Sequence, residues 1–255
     1  MHKLLPLFLF LAWSGCAGLG FHPETTPSFQ LTGSTEQYYV YVPKTWNAAQ
    51  RWPVIVYLHG RGESGTDRVR PTQHGLGLVV WKSDGTFPAI VVFPQARWGS
   101  RWGMPENNTR VLAILDEVMA KYEGDPNRVY LTGNSMGGYG AWFLAALYPE
   151  RFAAVVPICG GVRRKPTRPD APFAAVPPDE RATEIARRIG KLPVWIFQGA
   201  KDWLVPPRSS REMAAALRLN QGNVLYTEYP DLGHNSWDRA YSDPALFTWL
   251  FAQHR

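Results

Sequence analysis

The sequence predicts an α/β fold: a mainly parallel central sheet with helices on both faces. Three observations carry this. Short unbroken apolar runs such as Val54-Ile55-Val56-Tyr57-Leu58 and Ala89-Ile90-Val91-Val92-Phe93 have the character of strands buried on both faces. Segments with the 3.6-residue apolar period of helices lie between such runs, so strand and helix alternate. The chain has 255 residues, 45% of them hydrophobic and 19% charged, which suits one such domain with a sizeable core.

Taken in order, the first strand is Gln37 to Val42, stopped by Pro43. Arg51-Trp52-Pro53 leads into the strand Val54 to Leu58, which opens into the glycine-rich loop His59-Gly60-Arg61-Gly62-Glu63-Ser64-Gly65. Strand 89–93 is closed by Pro94, and a loop follows through Trp98 and Trp102. Val111, Ile114, Leu115, Val118, Met119 and Tyr122 share one helical face, with Asn108 or Thr109 able to cap it. Strand 128–132, a helix through Leu147 and strand 154–159 come next. The proline- and arginine-containing stretch 162–182 reads as an inserted loop. A short helix at 184–189, strand 192–197, helix 211–219, strand 224–229 and a closing helix at 244–253 complete the pattern. The catalytic domain is assigned to 35–255 and a linker to 18–34.

The amino terminus reads as a leader. Lys3 precedes the apolar run Leu4 to Trp13, and the small residues Ser14-Gly15-Cys16-Ala17-Gly18 follow, a signal-peptide pattern over residues 1–17. The run is too short to span a bilayer stably. Gly15-Cys16 also resembles a lipoprotein box, so cleavage before Cys16 with lipid attachment stands beside cleavage after Ala17. Either route exports the protein, and a lipid at Cys16 is the one membrane contact expected. The net charge of +6 is spread without a basic block interleaved with aromatics, which argues against nucleic acid as a partner. Cys159, in an apolar strand, reads as a small buried hydrophobe. No H-E-x-x-H, paired-cysteine or phosphate-loop pattern occurs, so neither a metal nor an organic cofactor is expected.

The most informative stretch is Gly133-Asn134-Ser135-Met136-Gly137, a G-x-S-x-G between a strand and a helix rich in Gly and Ala. A serine hydroxyl needs exposure beside a base to act as a nucleophile, and a sharp strand-to-helix turn provides the exposure. Glycines two positions to either side remove side chains that would collide there. In a parallel sheet the partner groups belong in loops at the carboxyl ends of later strands. Asp202 follows strand 192–197 and His234 follows strand 224–229, giving the order Ser135, Asp202, His234. Asp231 is a rival acid, and His59 at the end of a strand is read as bracing its loop.

Four motifs carry a resemblance over roughly residues 35–252. They are Leu58-His59-Gly60-Arg61-Gly62-Glu63, the Ser135 elbow, Gly199-Ala200-Lys201-Asp202 with Val205-Pro206, and Gly233-His234-Asn235-Ser236-Trp237. Together the sequence resembles the α/β-hydrolase superfamily, in particular exported esterases of the dienelactone-hydrolase-like, phospholipase/carboxylesterase-like and feruloyl-esterase-like type. Such proteins also include predicted peptidases of the prolyl-oligopeptidase clan. The resemblance implies an α/β-hydrolase fold and an oxyanion hole made by the amides of Arg61 and Met136. It also puts Trp102 where relatives carry an aromatic beside the acyl pocket, with a place in the core as the other reading. The function expected is a serine esterase acting on small-molecule esters or on acetyl or feruloyl esters linked to polysaccharide. A peptidase of the same clan and a non-catalytic cell-surface binding protein are the alternatives.

Overall fold

The computed structural model describes residues 28–33, 36–163 and 168–255. The leader at 1–17, Cys16 and most of the expected linker lie outside the described residues.

Eight strands, β1 (Phe29–Thr32), β2 (Tyr38–Tyr41), β3 (Trp52–Leu58), β4 (Ile90–Phe93), β5 (Gly124–Asn134), β6 (Ala154–Ile158), β7 (Val194–Gly199) and β8 (Val224–Tyr229), form one sheet. Its order is β1-β2-β4-β3-β5-β6-β7-β8. The pairs β1–β2 and β2–β4 are antiparallel, and every later pair is parallel. Among the described residues seven helices cover it: α1 (Leu76–Lys82), α2 (Pro105–Lys121), α3 (Met136–Leu147), α4 (Arg181–Ile189), α5 (Pro207–Leu219), α6 (Trp237–Ser242) and α7 (Pro244–Phe251).

The unbroken apolar runs are explained by a core on each face. Along β3, Val54, Val56 and Leu58 enter the layer beneath α2–α5, whereas Ile55 and Tyr57 enter the layer beneath α1, α6 and α7. Along β4, Ile90 and Val92 take the first side and Val91 and Phe93 the second. The period of two therefore exists in direction but not in polarity. On α2 the expected face is buried at Val111, Ile114, Leu115 and Val118, and Tyr122 just beyond the helix packs with it. Among the described residues no helix is long and apolar enough to cross a membrane.

Four expectations are corrected. The sheet begins inside the segment assigned to a linker, because Phe29–Thr32 pairs with β2 as an edge strand. Helix α2 starts earlier than the expected cap: Pro105 opens it, where a missing N–H costs nothing, and Asn108 lies within its first turn. Strand β5 begins at Gly124 rather than 128. Helices α1 and α6 were not anticipated; both are short and follow irregular segments.

Candidate active site

Ser135 stands between β5 and α3 with φ 54° and ψ −116°, a conformation that L-residues avoid. Its N–H donates to the Ile158 carbonyl at 2.9 Å, and its own carbonyl accepts from Tyr139 N at 3.1 Å. The flanking glycines are required by close backbone approach. A Cβ on Gly137 would lie 1.7 Å from the Leu58 carbonyl oxygen, and one on Gly133 would lie 2.6 Å from the same atom. The elbow thus packs directly against the end of β3, with no side chain between.

The three residues singled out at the ends of β5, β7 and β8 meet. His234 Nε2 lies 2.8 Å from Ser135 Oγ, and His234 Nδ1 lies 2.7 Å from Asp202 Oδ2. The Asp202 side chain is wholly buried and that of His234 is 16% exposed, so the charged end is enclosed and the working end faces the cleft. Asp202 is richly solvated by protein. Oδ1 accepts from the amides of Leu204 and Val205, each at 2.9 Å, and Oδ2 also accepts from Gln198 Nε2 at 3.0 Å. Burial pushes the carboxyl pKa up, but hydrogen bonds from His234 and the Val205 amide, the imidazole charge and Gln198 outweigh it, and the net shift is downward. Asp231, the rival acid, is instead turned outward into an exposed pair with Arg239 at 2.7 Å.

Gln198 was not found from the sequence. Its Nε2 donates to Asp202, and its Oε1 accepts from Ser210 Oγ at 2.8 Å, so it links α5 to the acid. The available signal was a polar residue at the inward end of an apolar strand.

The cleft above Ser135 measures about 630 Å³ and is lined by Arg61, Glu63, Met136, Tyr139, Leu204 and Trp237, among others. Met136 opens α3, so its amide belongs to the first-turn donors that have no acceptor within the helix. Arg61 opens the short 3-10 turn Arg61–Glu63 after Gly60, and its side chain is exposed. The Trp237 and His234 rings meet edge to face, with centroids 5.4 Å apart.

Two residues near the site are braces: His59, which was read as one, and Trp102, which was assigned to the substrate. His59 is fully buried: Nε2 accepts from the Ala96 amide at 2.9 Å, which leaves Nδ1–H to donate to the Gly60 carbonyl at 2.5 Å. Burial lowers its pKa to about 4, so it stays neutral. Trp102 does not line the cleft. It is 4% exposed, packs in the core against α3, and spends its indole N–H on the His59 carbonyl at 2.9 Å. The substrate-binding assignment of Trp102 is therefore corrected: its one polar atom is committed to the loop that carries Arg61.

Cys159, Asp202 and His234 place ligand atoms within 4.8 Å of one another. The set does not suit a metal ion. Burial raises the Cys159 pKa, which keeps the thiol protonated, and the imidazole and carboxylate are already bonded to each other. The same protonation argues against Cys159 as a nucleophile.

The "Esterase" family model, described as "Putative esterase", matches residues 30–238. The chain belongs to this family. The esterase-family chain is similar to poly(3-hydroxyalkanoate) depolymerase C of Paucimonas lemoignei, 28% identical over 63% of this chain and 43% of that protein. It is also similar to feruloyl esterase B of Neurospora crassa, 26% identical over 89% of this chain and 81% of that protein. Among solved structures, a thermostable esterase superposes with a TM-score of 0.76 at 30% identity, covering 90% of this chain and 64% of that one. The chain spans less than half the length of several curated relatives it matches. The fold is that of the α/β-hydrolases.

Proposed function

We propose that this chain is a serine carboxylic-ester hydrolase, acting through Ser135, His234 and Asp202 on short-chain esters or on acetyl or feruloyl groups carried by polysaccharide. The observation that carries the reading is the continuous chain of contacts from Ser135 Oγ through both imidazole nitrogens to a buried carboxylate. In this reading Asp202 holds Nδ1 protonated, which leaves Nε2 as the base. His234 takes the hydroxyl proton as Oγ bonds to the ester carbonyl carbon, and negative charge moves to the carbonyl oxygen. The amides of Met136 and Arg61 are the assigned donors to that oxyanion, supported by their shared cleft and by the helix terminus behind Met136. Collapse expels the alcohol, which takes the proton from His234 and leaves an acyl-serine. Water, deprotonated by His234, then attacks the acyl carbon; the bond from the acyl carbon to Oγ breaks, Oγ takes the proton back from His234, and the carboxylic acid leaves.

The acyl preference rests on the mixed character of the cleft, with Met136, Leu204 and Trp237 offering apolar surface and the relatives including a feruloyl esterase. Nothing in the cleft favours the peptidase reading, and the retained set of three residues speaks against a silent binding protein. The leader pattern at 1–17 supports export, with either a lipid on Cys16 or release after Ala17, and the catalytic unit is taken to extend to residue 255. Hydrolysis of p-nitrophenyl acetate, longer p-nitrophenyl esters and feruloylated or acetylated xylan, beside Ser135→Ala, tests the reading. Turnover that survives unchanged in the variant would overturn it.

A further inference from the structure

Most arginines on this molecule are already ion-paired, as Arg151 is with Asp116 and Arg211 with Glu228. Arg61, Arg68 and Arg97 are different. None has an acidic partner among the described residues, and all three sit on the two loops that follow β3 and β4. Arg61 borders the catalytic cleft, while Arg68 and Arg97 line a second cavity of about 230 Å³ alongside it. The two are joined by Gln95, which donates to the Glu63 carbonyl at 2.8 Å and accepts from the Arg68 amide at 2.6 Å.

The acids nearby do not neutralise this wall. Glu36, which lines the second cavity with Arg68 and Arg97, is bound to Arg110 at 2.9 Å, Asp67 is bound to Arg70, and Glu63 shares the cleft lining with Arg61, which leaves Arg68 and Arg97 as the cationic pair. Burial lowers the Arg110 pKa, Glu36 opposes that, and the charge of Arg97 lowers it further, as in a locally positive field. Trp98 stands beside Arg97 and is 64% exposed. Arg70 lies over it at 5.7 Å from the ring centroid, which fixes its position on the same loops.

The geometry points to an acidic polysaccharide as the carrier of the scissile ester, its sugar ring stacked on Trp98 and its carboxylates held by Arg68 and Arg97. An exposed indole packs the apolar C–H face of a pyranose ring. Guanidinium groups with no acid of their own donate two parallel N–H bonds to a carboxylate. Neither feature alone selects a uronic-acid polymer; their placement together on the loops that follow β3 and β4, the first of which also brings Arg61 to the cleft, does. An acyl group on one sugar then reaches Ser135 while neighbouring residues of the polymer lie along the positive wall. This assignment rests on ester hydrolysis at Ser135.

The test compares acetylated polygalacturonate with acetylated xylan of matched acetyl content, each normalised to p-nitrophenyl acetate. The acidic polymer is expected to show about tenfold higher normalised kcat/KM at low salt, falling towards parity in about 0.5 M NaCl. The doubly substituted Arg68→Gln/Arg97→Gln protein is expected to lose that preference, and Trp98→Ala to weaken it while keeping its salt dependence. Equal efficiency on both polymers by a parent that turns over p-nitrophenyl acetate overturns the inference and leaves the esterase reading intact. A second arm measures retardation of Ser135→Ala protein in gels containing polygalacturonate, neutral xylan or polyglutamate. Stronger retardation by polygalacturonate than by the other two supports the surface even if no ester is hydrolysed, which would sink only the esterase reading. Equal retardation by polyglutamate overturns the assignment to a glycan.

Discussion

The indole N–H of Trp102 donates to the backbone carbonyl of His59 at 2.9 Å, and the two rings meet edge to face with centroids 5.0 Å apart. A core residue thereby fixes the peptide that precedes Gly60 and Arg61. Trp102→Phe removes the donor and leaves a buried carbonyl unpaired, so a loss of about 1–3 kcal/mol of stability is expected. Because Trp102 does not line the cleft, KM for a small ester should stay within about twofold while thermal stability falls. A raised KM at unchanged stability would restore a substrate-binding role.

Asp202 carries its charge inside the protein on four hydrogen bonds. Asp202→Asn presents an amide where the carboxylate accepted from Nδ1, which favours the wrong imidazole tautomer. A fall of about 10³–10⁴ in kcat is expected with the fold retained. Steady-state kinetics together with circular dichroism separate this from unfolding.

His59 makes stability depend on pH. Its pKa falls from about 6.5 in the unfolded chain to about 4 in the folded protein, because burial disfavours the imidazolium. Between those values the unfolded chain binds the proton and the folded chain does not, so acidification favours unfolding. Stability is unaffected by this group above about pH 7 and is expected to drop by up to about 3 kcal/mol as pH falls to 4. Urea unfolding of the parent and of His59→Gln across that range reads the effect; the variant should lack this component of the slope.

Ser135 pays for its position in backbone strain, with φ at 54°. Ser135→Gly should raise stability by about 1 kcal/mol as the strain is released. Both Ser135→Gly and Ser135→Ala should lower kcat by about 10⁵–10⁶. Differential scanning calorimetry on the glycine variant, set against the alanine variant, isolates the strain term.

The elbow was readable because its glycines are dictated by contacts that tolerate no alternative: a Cβ at 137 meets a main-chain oxygen. The meeting of Asp202 and His234 with Ser135 could be anticipated because chain order and strand ends narrow the choice to few residues. Trp102 could be read as facing the cleft or as core, because a loop tryptophan looks the same whether it faces a cleft or a carbonyl. Strand β1 was hidden for a related reason. Its four residues, Phe29 to Thr32, gain strand character only by pairing with β2, a long-range contact that local pattern cannot report. Gln198 is a third case, since only the fold brings Ser210 and Asp202 to its two ends.

The direct seating of Gly137 on the Leu58 carbonyl separates two kinds of change open to this chain during evolution. Reactivity is anchored by main chain against main chain, where no substitution can intrude without breaking the domain. Side chains on the cleft rim such as Arg61 and Leu204 are exposed instead, and meet no such backbone wall. Descendants of such a scaffold can thus acquire new diets while inheriting one unaltered cutting edge.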